Sequence, residues 1–251
     1  MSGHSKWSKI KRTKGASDVK RGALFSKLAK EITIAAKLGG GDPGGNVRLR
    51  SAILSARAQS MPGDNIERAI KRGTGEGEEA QHYDEIVYEG YAPGGVAVLV
   101  EAATDNKNRT AAEVRRIFSK HHGNLGTSGS VSYMFHKKGQ ITLRREAIRE
   151  ERAFELALEA GAEELTTEEE QYVMTTAHDQ LYAVAEALKH AGLTTSGQKF
   201  TFIPDTTVLV VDEATALQVL RLCESLEDDD DVQNVYSNLD ISDELLAKLP
   251  A

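Results

Sequence analysis

Asn106, Asn108 and Arg109 stand in TDNKNRT (residues 104–110), where an apolar run gives way to an expected helix. Polar groups at the positive end of a helix can hold a phosphate. Asp105 or Asn108 acting only as a helix cap is the equal alternative. GNLGTSGSV (residues 123–131) is a second place where backbone amides could form an anion nest, the plainer reading being a helix-to-strand connection. GGGDPGGN (residues 39–46) follows a helix and lacks the Gly-Lys-Ser/Thr ending of a nucleotide loop. It reads as a helix–helix connection.

Catalytic and metal-binding chemistry finds little footing. His121 and His122 are adjacent, so on a helix they point about 100° apart and cannot grip one ion together. His4, His82, His136, His178 and His190 have no Cys or carboxylate at ligand spacing. Cys223 lies in an amphipathic stretch and reads as a core thiol. No G-x-S-x-G elbow, H-E-x-x-H helix or Walker loop occurs. The run EDDDD (residues 227–231) lacks the Gly and spaced oxygens of a calcium loop and reads as a solvated turn, or as a competitor for a basic surface. The expectation is a protein that is not an enzyme and needs no metal or cofactor.

The strongest chemical signal is charge. The chain has 251 residues and a formal net charge of −7, yet residues 1–75 hold 16 Lys or Arg against 5 Asp or Glu. A basic head on an acidic body points to a polyanion partner. The first 22 residues place Lys6, Lys9, Lys11, Arg12, Lys14, Lys20 and Arg21 around one aromatic, Trp7. These cations, with Lys27 on the following helix, are the candidate phosphate contacts, and Trp7 could stack on an exposed base or fold back onto the head. The lack of an apolar leader or an 18-residue apolar run leads to the expectation of a cytoplasmic protein with no membrane partner. A monomer is the expected oligomeric state.

These groups need elements to hold them. After a basic arm, a helix is expected over 18–38, with Leu24, Leu28, Ile32 and Ala35 on its apolar stripe and Lys20, Lys27, Lys30 and Lys37 opposite, facing water or a polyanion. Asn46 should cap a second helix reaching Gln59. A third should start at Asp64, with Glu67 completing a capping box, and stop at Gly73. Beyond Tyr83 the period becomes strand-like, with a hairpin across APGG. Strand 96–103, helix 110–121, strand 130–136, then strand 206–211, helix 213–226 and strand 232–237 make one β-α-β-β-α-β set. Strand 140–144, helix 147–160, strands 163–166 and 171–176, helix 178–191 and strand 199–203 make another. The fold class is therefore α+β in three domains. A three-helix head with its arm spans 1–75, a discontinuous ferredoxin-like domain spans 76–137 and 205–251, and a second ferredoxin-like domain is inserted at 138–204.

GHSKW, RLRSAILSARAQSMPGDNIERAIKRG, YEGYAPGGVAVLVEAATDNKNRTAAEVRRIFSKHHGNLGTSGSVSYMF and LEDDDDVQNVYSN together make the chain resemble the YebC/PmpR family over nearly its whole length. The resemblance implies three domains, no catalytic residues and no required cofactor. It also implies a regulator of gene expression, described either as DNA-binding and transcriptional or as ribosome-associated and assisting translation of proline-rich stretches. Mitochondrial relatives include a translational activator of cytochrome c oxidase. Where relatives often read Lys-His-Arg-Lys, this chain has Lys11, Arg12, Thr13 and Lys14. Positive charge persists there, and a contact specific to that histidine does not carry over. The expected partner is DNA, with ribosomal RNA as the alternative.

Overall fold

The computed structural model describes residues 18–76 and 82–248. Three helices come first: α1 (Asp18–Gly39), α2 (Val47–Ala58) and α3 (Gly63–Thr74). They close on Ile32, Ala35, Leu49, Ile53, Ala56 and Ile66, all buried. Asn46 caps α2 as expected, its Oδ1 accepting from the Leu49 amide at 3.0 Å. Its Nδ2 donates to the carbonyls of Ala35 and Gly40 at 2.7 and 2.8 Å, so one buried side chain ties the end of α1 to the start of α2. The third helix departs from expectation. It begins at Gly63 after Pro62, with no side-chain cap, and ends at Gly75 in the left-handed region (φ 76°). Gly73 lies inside it for a different reason: a Cβ there would sit 2.3 Å from the Thr33 carbonyl oxygen. Only glycine lets α3 press this closely against α1.

Strands β1 (Asp84–Tyr91) and β2 (Ala97–Thr104) then form an antiparallel hairpin across Pro93–Gly95, paired from Asp84↔Thr104 to Tyr91↔Ala97. After α4 (Lys107–Lys120) and the two-residue β3 (Asn124–Leu125), the chain leaves this sheet for a second one. The second sheet contains β4 (Phe135–Arg144), β5 (Glu164–Thr167), β6 (Gln171–Ala177) and β7 (Gly197–Pro204), with α5 (Glu150–Ala160) and α6 (Leu181–His190) between them. The chain returns through β8 (Val208–Val210), α7 (Glu213–Glu227), β9 (Val232–Ser237), β10 (Leu239–Ile241) and α8 (Asp243–Lys248).

The second sheet has order β5-β6-β4-β7, every pair antiparallel. With its two helices this is the ferredoxin-like arrangement, and Ile141, Leu143, Met174, Leu156, Val184 and Leu188 make its core. The first sheet has order β3-β1-β2-β9, also antiparallel, covered on one face by α4 and α7. It keeps the ferredoxin-like layout but fills it differently. The strand expected at 206–211 is β8, and it pairs in parallel with β10 as a separate ribbon. Its slot is taken by β1, because a hairpin partner needs only a short loop closure and a strand returning from position 206 needs a long one. The strand expected over 130–136 is also absent. Residues 132–134 make a short 3₁₀ turn, and Phe135 opens β4, which runs unbroken to Arg144. Position 138 therefore lies within β4 rather than at the junction between the sheets.

Candidate nucleic-acid interface

The lysine face of α1 does not simply meet water. Lys30 Nζ donates to Asp231 Oδ1 and the Asp230 carbonyl, each at 2.8 Å, and to the Ala103 carbonyl at 3.3 Å. Lys27 donates to the Glu227 carbonyl, one helical turn before Lys30 on the same side. The acidic run between α7 and β9 is thus a fixed counter-surface for the head rather than a free turn. Its last carboxylate is the hub: Asp231 Oδ2 also accepts from Arg109 at 2.6 Å, Thr110 at 2.8 Å and Thr104 at 3.2 Å. Burial by itself would raise the Asp231 pKa. Hydrogen bonds from Arg109, Lys30 and Thr110, with the charge of Lys30, outweigh it and hold the carboxyl well below the usual range.

The same hub decides the geometry of residues 104–110. Asn106 is the cap of α4, its Oδ1 accepting from the Arg109 amide at 3.1 Å. Arg109 turns its guanidinium to Asp231 and, at 2.9 Å, to Asp105. Asn108 is exposed on the first turn. Asp105 and Asp231 therefore engage the guanidinium that a phosphate would need, and they place negative charge beside this helix end.

The loop after β3 also holds an anion of the protein's own. Glu89, buried on β1, accepts from the amides of Gly129 and Val131 at 2.8 Å and Ser132 at 2.7 Å. Burial favours the neutral acid, but three amide donors overcome it and lower the pKa. The nest read from GNLGTSGSV exists, and it is filled from within. Because Val131 and Ser132 give their amides to Glu89, they cannot enter a ladder, which accounts for the missing strand over 130–136. The end of α4 is equally committed: His121 Nε2 lies 2.9 Å from Ser225 Oγ on α7.

A second ion pair joins head to sheet. Arg48 on α2 binds Glu31 on α1 at 2.8 Å and Glu85 on β1 at 2.6 Å. Burial lowers its pKa, and the two carboxylates more than reverse this. Toward the second sheet, α2 packs along β7: Gln198 Nε2 donates to Ser51 Oγ at 2.7 Å, and Arg50 stands 3.8 Å from Glu186.

Of the sequence candidates, Lys6, Trp7, Lys9, Lys11, Arg12 and Lys14 lie outside the described residues. Lys20 and Arg21 are on the first turn of α1, Arg21 exposed. Lys27 turns toward the acidic run. Arg57 and Lys71 on the head are exposed, with no ion pair among the described residues. Glu89 is not singled out by the sequence, and Asp231 is singled out only as part of the run 227–231, whose reading as a competitor for a basic surface agrees with its contacts to Lys30 and Arg109. The nest quoted from residues 123–131 was the signal for the first. For the second the signal was an acidic run ending where an apolar strand begins.

Comparison with known proteins adds three findings. Residues 5–76 match the family described as TACO1/YebC protein N-terminal domain, and residues 83–239 match the one described as TACO1/YebC second and third domain. The chain is 56% identical over 251 residues, the full length of both chains, to a "Probable transcriptional regulatory protein" of Syntrophus aciditrophicus. It is 56% identical over 249 residues to a protein of the same description from Geobacter sulfurreducens, covering 99% of this chain and 100% of that one. A crystal structure of a hypothetical protein from Aquifex aeolicus superposes with a TM-score of 0.84 at 49% identity, covering 91% of this chain and 94% of the other. Among the described residues no helix is long and apolar enough to cross a membrane.

Proposed function

We propose, on the premise that the chain belongs to the TACO1/YebC family, that it is a non-enzymatic regulator of gene expression which binds nucleic acid through its N-terminal arm and the start of α1. The observation that carries this reading is the internal use of positive charge further along the head. Lys27, Lys30 and Arg48 are engaged by the acidic run, Glu31 and Glu85. The sequence supplies seven further Lys or Arg over residues 6–21, on both sides of Trp7. Relatives called probable transcriptional regulators favour DNA as the partner. In this reading a monomer meets it in the cytoplasm.

In this reading Lys6, Lys9, Lys11, Arg12, Lys14, Lys20 and Arg21 neutralise phosphates, and Trp7 stacks on a base. The acidic body keeps the head from binding a polyanion indiscriminately. Trp7→Ala is expected to weaken single-stranded ligands more than duplex, by about 1–3 kcal/mol per stacked base, without changing the salt dependence. Titration of fluorescent duplex DNA, single-stranded DNA and ribosomal RNA against the parent and Trp7→Ala tests this. Equal losses on all three ligands would remove the stacking role. A marked preference for ribosomal RNA over duplex DNA would move the partner from the genome to the ribosome.

A further inference from the structure

Helix α5 is packed the wrong way round for its residue sizes. Toward the core it turns Ala153, Leu156 and Ala157. Its only aromatic, Phe154, remains 58% exposed, and Leu158, one turn later on the same side, remains 69% exposed. A single exposed leucine needs no explanation, but a phenylalanine and a leucine one helical turn apart form a patch. The patch continues across to β5. Leu165 pairs with the buried Met174 and Thr167 with the buried Tyr172, so both face the helix side of the sheet. Strand β5 is the edge of its sheet, paired only with β6, and no further strand closes this side. The result is an open groove of about 530 Å³ between α5 and β5, with Phe154 and Leu165 along its apolar wall.

The rim of this groove has one sign of charge. Glu150, Glu151 and Glu155 line it. Glu150 accepts a hydrogen bond from Thr167 at 2.8 Å, which fixes its carboxylate over the groove. Glu155 is shared with the exposed Arg152, while Glu151 meets no cation among the described residues. We propose that the α5–β5 groove docks a cationic segment of another protein, one that inserts an aromatic or branched apolar side chain between Phe154, Leu158 and Leu165 and sets Lys or Arg against the glutamates. Charge selects the occupant: nucleic acid is repelled by this rim, and groove-to-groove docking of two copies would set one acidic rim against another. The groove residues are other than the arm residues named above, so the protein would bridge a polyanion and a basic protein.

Because Phe154 and Leu158 are more than half exposed, replacing both by Ala leaves the core of the second sheet intact. The test titrates full-length protein with a short synthetic peptide of alternating Lys and Phe or Leu, and with its Glu-for-Lys counterpart. Saturable binding of the Lys peptide is expected, weakened about tenfold or more in Phe154→Ala/Leu158→Ala, since a central apolar anchor dominates such contacts. Glu150→Gln/Glu151→Gln/Glu155→Gln should flatten the salt dependence while leaving the urea midpoint unchanged. Equal binding by the parent and the double-Ala variant, or equal binding of the Lys and Glu peptides, would overturn the proposal. So would sedimentation showing a parent dimer that the double-Ala change dissolves, because the groove would then serve self-association.

Discussion

The head meets the two sheets in different ways. Against the first sheet it spends charge: Lys30 on Asp231, Lys27 on the Glu227 carbonyl, and Arg48 between Glu31 and Glu85. Against the second it packs α2 along β7 with neutral groups, Gln198 donating to Ser51, and makes a loose pairing of Arg50 with Glu186 at 3.8 Å. A cation held in a partly buried network is costly to unpair, whereas a neutral hydrogen bond contributes little net stability. The difference teaches that head and first sheet form one electrostatic unit. The second sheet joins that unit through neutral packing instead.

The sharpest way to break the comparison is at its hub. Asp231→Ala takes the carboxylate from Lys30, leaving it two backbone carbonyls, and removes acceptors from Thr104, Thr110 and Arg109. A loss of about 3 kcal/mol in urea unfolding is expected, at the low end for a buried pair because Arg109 is solvated. A change under about 1 kcal/mol would show that the network is ornamental. The pH dependence has a definite sign. A carboxyl whose folded pKa lies below its unfolded value stabilises fully above the unfolded value, about 3.9, and loses that contribution as pH falls through the folded one. The stability gap between the parent and Asp231→Asn should therefore be constant from about pH 7 to about pH 5 and narrow below about pH 4. A gap that widens on acidification would reverse the account.

Glu89 offers the next largest effect, within the first sheet alone. Glu89→Ala leaves the amides of Gly129, Val131 and Ser132 without their acceptor, a loss of about 2 kcal/mol. Amide hydrogen exchange in residues 126–132 should accelerate at the same time. Unchanged exchange there would mean that the loop holds its shape without the carboxylate.

Sequence reasoning reached the helices and the second sheet because their signals are local. The stripe through Leu28, Ile32 and Ala35 marked α1 almost to its end. The second set of strands and helices occurs in the expected order and pairs as that order implies. The first sheet was harder because strand partnership is not written locally. Val208 and Leu239 look like members of any apolar strand, and only the fold shows them pairing with each other. The capping box at Asp64 failed for another reason: Pro62 had already set the backbone for a helix starting one residue earlier. At the candidate interface, residue type revealed the charge but not its use. Lys27 and Arg109 read as candidate phosphate contacts, and Lys30 as facing water or a polyanion, whereas the body supplies Glu227, Asp230 and Asp231 to them.

The second sheet should be the easier one to detach, and we propose that the span from Phe135 to Pro204 is a separable unit. Replacing it by a short linker should leave the core of Val98, Val100, Phe118, Leu222 and Val235 folded, as read from a cooperative unfolding transition. Loss of cooperativity would show that the sheets depend on each other. The smallest effect belongs to the contact itself: Ser51→Ala/Gln198→Ala should cost about 0.5–1 kcal/mol and leave nucleic-acid affinity unchanged.

The central claim is that cations in the arm serve a polyanion while Lys27, Lys30 and Arg48, farther along the head, serve the fold. Its most direct test measures the affinity for duplex DNA and for ribosomal RNA as a function of salt in two variants beside the parent. Lys9→Ala/Lys11→Ala/Arg12→Ala/Lys14→Ala should flatten the log–log salt slope by up to roughly 3–4 units and leave the urea midpoint where it was. Lys30→Ala should do the reverse, lowering the midpoint and leaving the slope. Equal slopes for the four-Ala variant and the parent on both ligands, or a slope that falls with Lys30→Ala instead, would contradict the assignment.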